Sequence, residues 1–173
     1  MDTMFDEAIM HAARSVLSIC QAHGLTLATA ESCTGGLVAA ALTGIEGSSA
    51  VVERGFVTYS NEAKMAMLGV PSTILQAHGA VSRETAEAMA RGALAHAPVG
   101  VTVSITGIAG PGGGSDDKPV GLVHFAAASR DGALIHRRCE FGDIGRGEVR
   151  RRSVLEALQM LQDVAEGAPR KTP

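Results

Sequence analysis

Apolar residues Ile9, Ala13, Val16, Leu17 and Cys20 recur at helical spacing, and Gly24 is a fitting stop, so residues 5–22 are expected to form a helix. The pattern then changes. Leu25-Thr26-Leu27-Ala28-Thr29-Ala30 alternates as a strand does, Glu31 to Gly36 has the composition of a turn, and the small-residue run at 37–42 is helical. Residues 44–49 form a Gly/Ser loop, and 51–60, rich in β-branched and aromatic residues, read as a strand. Asn61 is the expected cap of a short helix ending near Gly69. A helix over 72–78 and a longer one, capped by Ser82 and running through Ala95, come next. Residues 99–106 form an apolar strand that leads into a glycine-rich loop, 107–119. Residues 120–129 and 133–141 form a hairpin turned at Asp131-Gly132. In a last helix, 147–165, Val154, Leu158, Leu161 and Ala165 share one face. Helices alternating with strands, then a hairpin, predict an α/β fold: a three-layer α/β/α domain with a mixed central sheet. One domain is expected over 1–166 and a disordered tail over 167–173.

Composition narrows the class. Hydrophobic residues make up 46% of the 173 positions but aromatics only 3%, so the core must be built from Ala, Val, Leu, Ile and Met. A net charge of −3 gives no basic footprint for nucleic acid. No apolar run is long enough to span a bilayer, and the N-terminus lacks the features of a signal peptide, so no membrane association and a cytoplasmic location are expected. Cys20, Cys33 and Cys139 form no C-x-x-C pair and read as free thiols. The six histidines are scattered singly and make no Cys/His constellation, so a zinc site is not expected.

The chemistry gathers at the first strand–turn–helix. Ser32 stands in the turn, at the carboxyl edge of a sheet, where open α/β sheets bind ligands. The N–H groups of Cys33, Thr34, Gly35 and Gly36 suit a phosphate or a developing oxyanion. The plainer alternative makes Ser32 or Thr34 a helix N-cap. Lys64 falls in the first turn of its helix, where the dipole disfavours positive charge. A lysine of lowered pKa there would serve as general base to a serine, and otherwise it is a solvated surface residue. Tyr59, the lone tyrosine, is either core filler or a rim hydroxyl. Ser48 and Ser49 either point back toward Ser32 or are solvated turn residues. The glycine loop matches neither a Walker A nor a dinucleotide-binding fingerprint, and is a ligand clamp or a flexible connection. Arg146, before the last helix, suits a phosphate or is simply solvated. Cys33 is a rival nucleophile, ranked lower because adjacent side chains point in different directions.

Taken in order, Thr29-Ala30-Glu31-Ser32-Cys33-Thr34-Gly35-Gly36, Arg54-Gly55-Phe56-Val57-Thr58-Tyr59-Ser60-Asn61-Glu62-Ala63-Lys64, His78-Gly79-Ala80-Val81-Ser82, Gly107-Ile108-Ala109-Gly110-Pro111-Gly112-Gly113 and Lys118-Pro119-Val120-Gly121 resemble the CinA C-terminal domain family over nearly the whole chain. Larger members carry an additional N-terminal domain, so this chain resembles the stand-alone nicotinamide-nucleotide amidases of the family. The resemblance implies hydrolysis of the carboxamide of nicotinamide mononucleotide to nicotinate mononucleotide and ammonia, by a serine with a lysine partner and no metal or cofactor. It carries the catalytic roles to Ser32, Lys64, Tyr59 and Ser49. Substrate binding would fall to Thr34, Gly35 and Gly36, to Gly107, Gly110, Gly112 and Gly113, and to Arg146. Many members read Gly-Asp-Arg before the last helix, whereas Ile144-Gly145 here separates Asp143 from Arg146. The expected partner is the small-molecule substrate, with no nucleic acid or membrane, and the chain is expected to form a homo-oligomer. The competing reading, from the family's association with competence and DNA damage, is a non-catalytic nucleotide-binding or protein-interaction module.

Overall fold

Side-chain alternation along the strands sorts the core into two faces. On β3 (Val101–Gly107), Val101, Val103 and Ile105 point to one side. Thr102, Ser104 and Thr106 point to the other, where their hydroxyls donate to the carbonyls of Ala90, Ala86 and Ala80. These buried hydroxyls are therefore satisfied, and the small alanines let helix and sheet approach closely. The structure, a computed structural model, describes residues 4–169. Its sheet has the order β2-β1-β3-β4-β5, with β1 (Leu27–Glu31), β2 (Val52–Val57), β4 (Leu122–Ser129) and β5 (Leu134–Glu140) completing it. β1 pairs in parallel with β2 and β3, whereas β4 and β5 are antiparallel.

Helices α1 (Glu7–His23), α2 (Leu37–Thr43) and α6 (Arg146–Gly167) cover one face, and α3 (Asn61–Leu68), α4 (Ser72–His78) and α5 (Arg83–His96) the other. This is the expected three-layer α/β arrangement with a mixed sheet. The β1–β2 connection runs through α2 on one face, and the β2–β3 connection through α3, α4 and α5 on the other. The chain therefore diverges at the carboxyl ends of β1 and β3, a switch point where such sheets bind ligands.

Three local expectations change. Ser60, not Asn61, caps α3: its Oγ accepts from the Ala63 N–H at 3.0 Å from extended backbone, while Asn61 is already helical. Neither Ser32 nor Thr34 caps α2, because the turn runs on to Gly36 at φ 99°. The stretch expected as a tail begins inside the fold: Gly167 ends α6, and Ala168 is buried with its carbonyl against His23 Nδ1 at 3.0 Å. Residues 170–173 lie outside the described residues.

Candidate active site

Past Glu31 the chain reverses in a tight turn. The Ser32 N–H donates to Ile105 O at 2.9 Å, which fastens the turn to β3, and the Gly35 N–H donates to Ser32 O at 3.0 Å. Gly35 (φ 57°) and Gly36 (φ 99°) take left-handed backbone that side chains resist. The N-terminus of α2 is not open to a ligand. The fully buried Glu31 carboxylate accepts from the N–H groups of Val38 at 2.8 Å and Ala39 at 3.0 Å, and from Thr29 Oγ1 at 3.2 Å. A carboxylate there satisfies both the unpaired amides and the helix dipole.

That capping leaves Ser32 to make another contact. Lys64, reaching across from α3 and only 1% exposed, donates from Nζ to Ser32 Oγ at 3.1 Å and to Thr58 O at 2.9 Å. No carboxylate forms an ion pair with it among the described residues. Burial without a counter-ion pushes the Lys64 pKa below its ordinary value. Burial pushes the Cys33 thiol the other way, up to about 12, which favours the thiol over the thiolate near neutrality.

Ser32 and Lys64 open onto a cavity of about 280 Å³. Ala80, Val81, Ile108 and Ala109 give it an apolar wall, and Gly107, Gly110, Gly112 and Gly113 a wall of bare backbone. Tyr59 and Arg146 stand at its rim. Arg146 donates from Nη1 to Gly110 O and from Nη2 to Tyr59 Oη, both at 3.0 Å, so one guanidinium ties α6, the glycine loop and the β2–α3 connection together. The two residues inserted after Asp143 do not keep Arg146 from this rim. A larger hollow, about 460 Å³, lies at the opposite end of the sheet; its arginine, Arg130, is held by the carbonyls of Leu94, Ala97 and Val99.

Of the residues singled out in the sequence, the structure brings together Ser32, Cys33, Lys64, Tyr59, Arg146 and the four loop glycines. Thr34, Gly35 and Gly36 do not line the cavity. Ser49 is exposed on the short 3-10 turn Ser48–Ala50 and Ser48 is buried there, both off the cavity, because that turn packs beside α2 and β2. The sequence reading missed three residues. Thr106 lines the cavity, Glu31 closes off α2, and Arg150 donates to the carbonyls of Cys33 and Thr34. An acidic residue placed just before the Ser32 turn was the one available signal for Glu31. Among the described residues no group of three or more His, Cys, Asp or Glu side chains is placed to hold a metal ion, and no helix is long and apolar enough to cross a membrane.

Fold and site together define a mixed-sheet α/β domain with a desolvated lysine set against a serine hydroxyl at the switch point. The chain belongs to the CinA C-terminal domain family, which matches residues 10–165. It is 53% identical over 159 residues to the nicotinamide-nucleotide amidohydrolase PncC of Escherichia coli K12, covering 91% of this chain and 95% of that protein. It is 51% identical over 144 residues to a CinA-like protein of Mycolicibacterium gilvum, covering 83% of this chain and 34% of that longer protein. The crystal structure of the competence/damage inducible protein CihA from Agrobacterium tumefaciens superposes with a TM-score of 0.93 at 52% identity, covering 96% of this chain and all of that one.

Proposed function

We propose that this protein hydrolyses the carboxamide of nicotinamide mononucleotide, with Ser32 as nucleophile and Lys64 as its base. The observation that carries the reading is the 3.1 Å contact between Lys64 Nζ and Ser32 Oγ in a site that depresses the lysine pKa. A neutral amine there has two N–H bonds and a lone pair. One N–H stays on Thr58 O, which aims the lone pair at the Ser32 hydroxyl. Ser32 Oγ attacks the amide carbon as its proton passes to Lys64. The tetrahedral intermediate collapses when the ammonium returns that proton to the amide nitrogen, and ammonia leaves. Water, deprotonated by the same amine, then attacks the Ser32 ester, releasing the carboxylate and restoring the hydroxyl. The apolar wall suits the pyridine ring. Of the five N–H donors of Arg146, those not on Gly110 and Tyr59 are open to the ribose phosphate at the rim. The 53% identity to a nicotinamide-nucleotide amidohydrolase across nearly both chains supports the same substrate. The test is stoichiometric release of ammonia and nicotinate mononucleotide from nicotinamide mononucleotide by the purified protein. Binding without turnover would overturn the reading in favour of a nucleotide-binding module.

A further inference from the structure

Two segments supply most of the cavity's walls: the α4–α5 connection gives Ala80 and Val81, and the glycine loop gives Ile108, Ala109, Gly110, Gly112 and Gly113. The loop is built as one body. At its base the Ile108 N–H donates to Leu122 O at 2.9 Å and the Gly121 N–H to Ile108 O at 2.8 Å. At its tip the Ser115 N–H donates to Lys118 O at 2.8 Å, and the Lys118 N–H to Ser115 Oγ at 3.1 Å. Between these closures the two limbs touch. A Cβ at Gly110 would stand 2.5 Å from Val120 Cγ1, and one at Gly114 would stand 2.8 Å from the Val120 nitrogen. The α4–α5 connection is held as firmly. Gly79 O accepts from Ser82 Oγ at 3.1 Å and from Thr85 Oγ1 at 2.7 Å, and Ala80 O accepts from Thr106 Oγ1 at 2.7 Å.

Lys118 joins these two bodies. Half-buried and outside the cavity lining, it donates from Nζ to the carbonyl of His78, the last residue of α4, at 2.6 Å. It forms no ion pair with Asp116 or Asp117, although both adjoin it in sequence. A Cβ at Gly79 would stand 2.8 Å from Nζ, so the glycine leaves the ammonium its place. We propose that Lys118 is a positioning residue: its strap fixes the spacing between the loop and the α4–α5 connection, and so preforms the slot that grips the flat pyridine ring. The proposal rests on the substrate assigned above. Without the strap the two walls keep this spacing only part of the time. Apparent affinity then falls by that fraction, while kcat stands once the substrate has drawn the walls together.

Lys118→Met keeps the stem and removes the donor. KM for nicotinamide mononucleotide and for the riboside should rise together, roughly ten-fold for one lost charge-assisted hydrogen bond, with kcat within about three-fold. Loop amides should exchange with deuterium faster. Phosphonylation of Ser32 by a small fluorophosphonate, which needs no ring slot, should be unchanged. Lys118→Arg, which keeps a cationic donor, should recover most of the affinity. An unchanged KM, a fall in labelling that parallels the loss of activity, or a KM that rises for the mononucleotide alone (the mark of attraction to its phosphate) would each overturn the proposal. If the unmodified protein binds the mononucleotide in calorimetry without turning it over, the hydrolysis reading falls and Lys118 is judged by the dissociation constant. If it neither binds nor hydrolyses the mononucleotide, both readings fall together.

Discussion

Lys64→Met separates what the lysine does for the reaction from what it does to the fold. Methionine fills a similar buried volume and removes the amine. On the stability side two effects oppose one another. Leaving Thr58 O without its donor costs about 1–3 kcal/mol. Against that, a buried amine with a depressed pKa works against folding below that pKa, by about 1.4 kcal/mol for each unit of depression. The sign is fixed by proton count. The unfolded chain holds the lysine proton up to about 10.5, the folded chain releases it earlier, and so the native protein gains stability as pH rises between the two values. The effects partly cancel, so Lys64→Met should melt within a few degrees of the unmodified protein at neutral pH, and any advantage it holds there should shrink as pH rises. Catalysis has no such cancellation: loss of a general base should lower kcat roughly 10²–10⁴-fold. Ammonia release against nicotinamide mononucleotide measures one side and thermal melts from neutral to alkaline pH the other. Lys64→Arg refines the result, since a guanidinium keeps its proton and should be nearly as inactive. A Lys64→Met protein within three-fold of normal kcat would refute the base assignment. A substantially active Lys64→Arg would reduce the lysine to a fixed charge.

Ser32→Ala should fold as the unmodified protein does, because Ser32 caps no helix, yet lose activity by orders of magnitude; full activity in that variant would remove the nucleophile. If remote phosphate binding positions the amide, nicotinamide riboside should be a much poorer substrate than the mononucleotide, and Arg146→Ala should raise KM for the mononucleotide while hardly changing the riboside. Equal turnover of the two by the unmodified protein would contradict this. His124, buried and stacked 5.2 Å from His136, has its pKa lowered to about 4 by burial and then by His136, Arg138 and Lys118, with Glu84 opposing. Stability from this site is therefore complete above about 6.5 and lost as pH falls toward 4, on the order of 3 kcal/mol over the whole interval. Melts of His124→Asn should lack that acid slope, and a slope identical to that of the unmodified protein would exclude this cause.

The elements were readable because local patterns decided them. Strand alternation on β3, the apolar stripe of α6 and the Ser82 cap of α5 each depend on neighbours within a few residues. Lys64 was legible for a related reason: a cation in the first turn of a helix is locally unfavourable and asks for an explanation. Asn61 was misread as a cap because Ser60 and Asn61 are both good caps, and only the extended backbone of Ser60 separates them. What escaped the sequence acts over distance. Glu31 reaches Val38 and Ala39 around a turn, and Arg150 reaches Cys33 and Thr34 from 116 or more residues along the chain. Ser49 shows the converse: a motif serine near in sequence is carried off the cavity by a three-residue turn.

The rim contact between Tyr59 and Arg146 also determines what light can report about this protein. The chain has no tryptophan and one tyrosine, and that tyrosine is 62% exposed with its hydroxyl on the arginine that faces the cavity. Intrinsic emission is thus nearly blind to unfolding, since Tyr59 is already in water, and denaturation has to be followed by circular dichroism or calorimetry. If the proposed substrate binds at this rim, the same emission becomes a single-site gauge of occupancy, because a nucleotide on Arg146 would alter the hydrogen bond on the one fluorophore and a nearby pyridine ring would quench it. Such a titration would be read on the unlabelled protein, with no background from any other tyrosine or tryptophan.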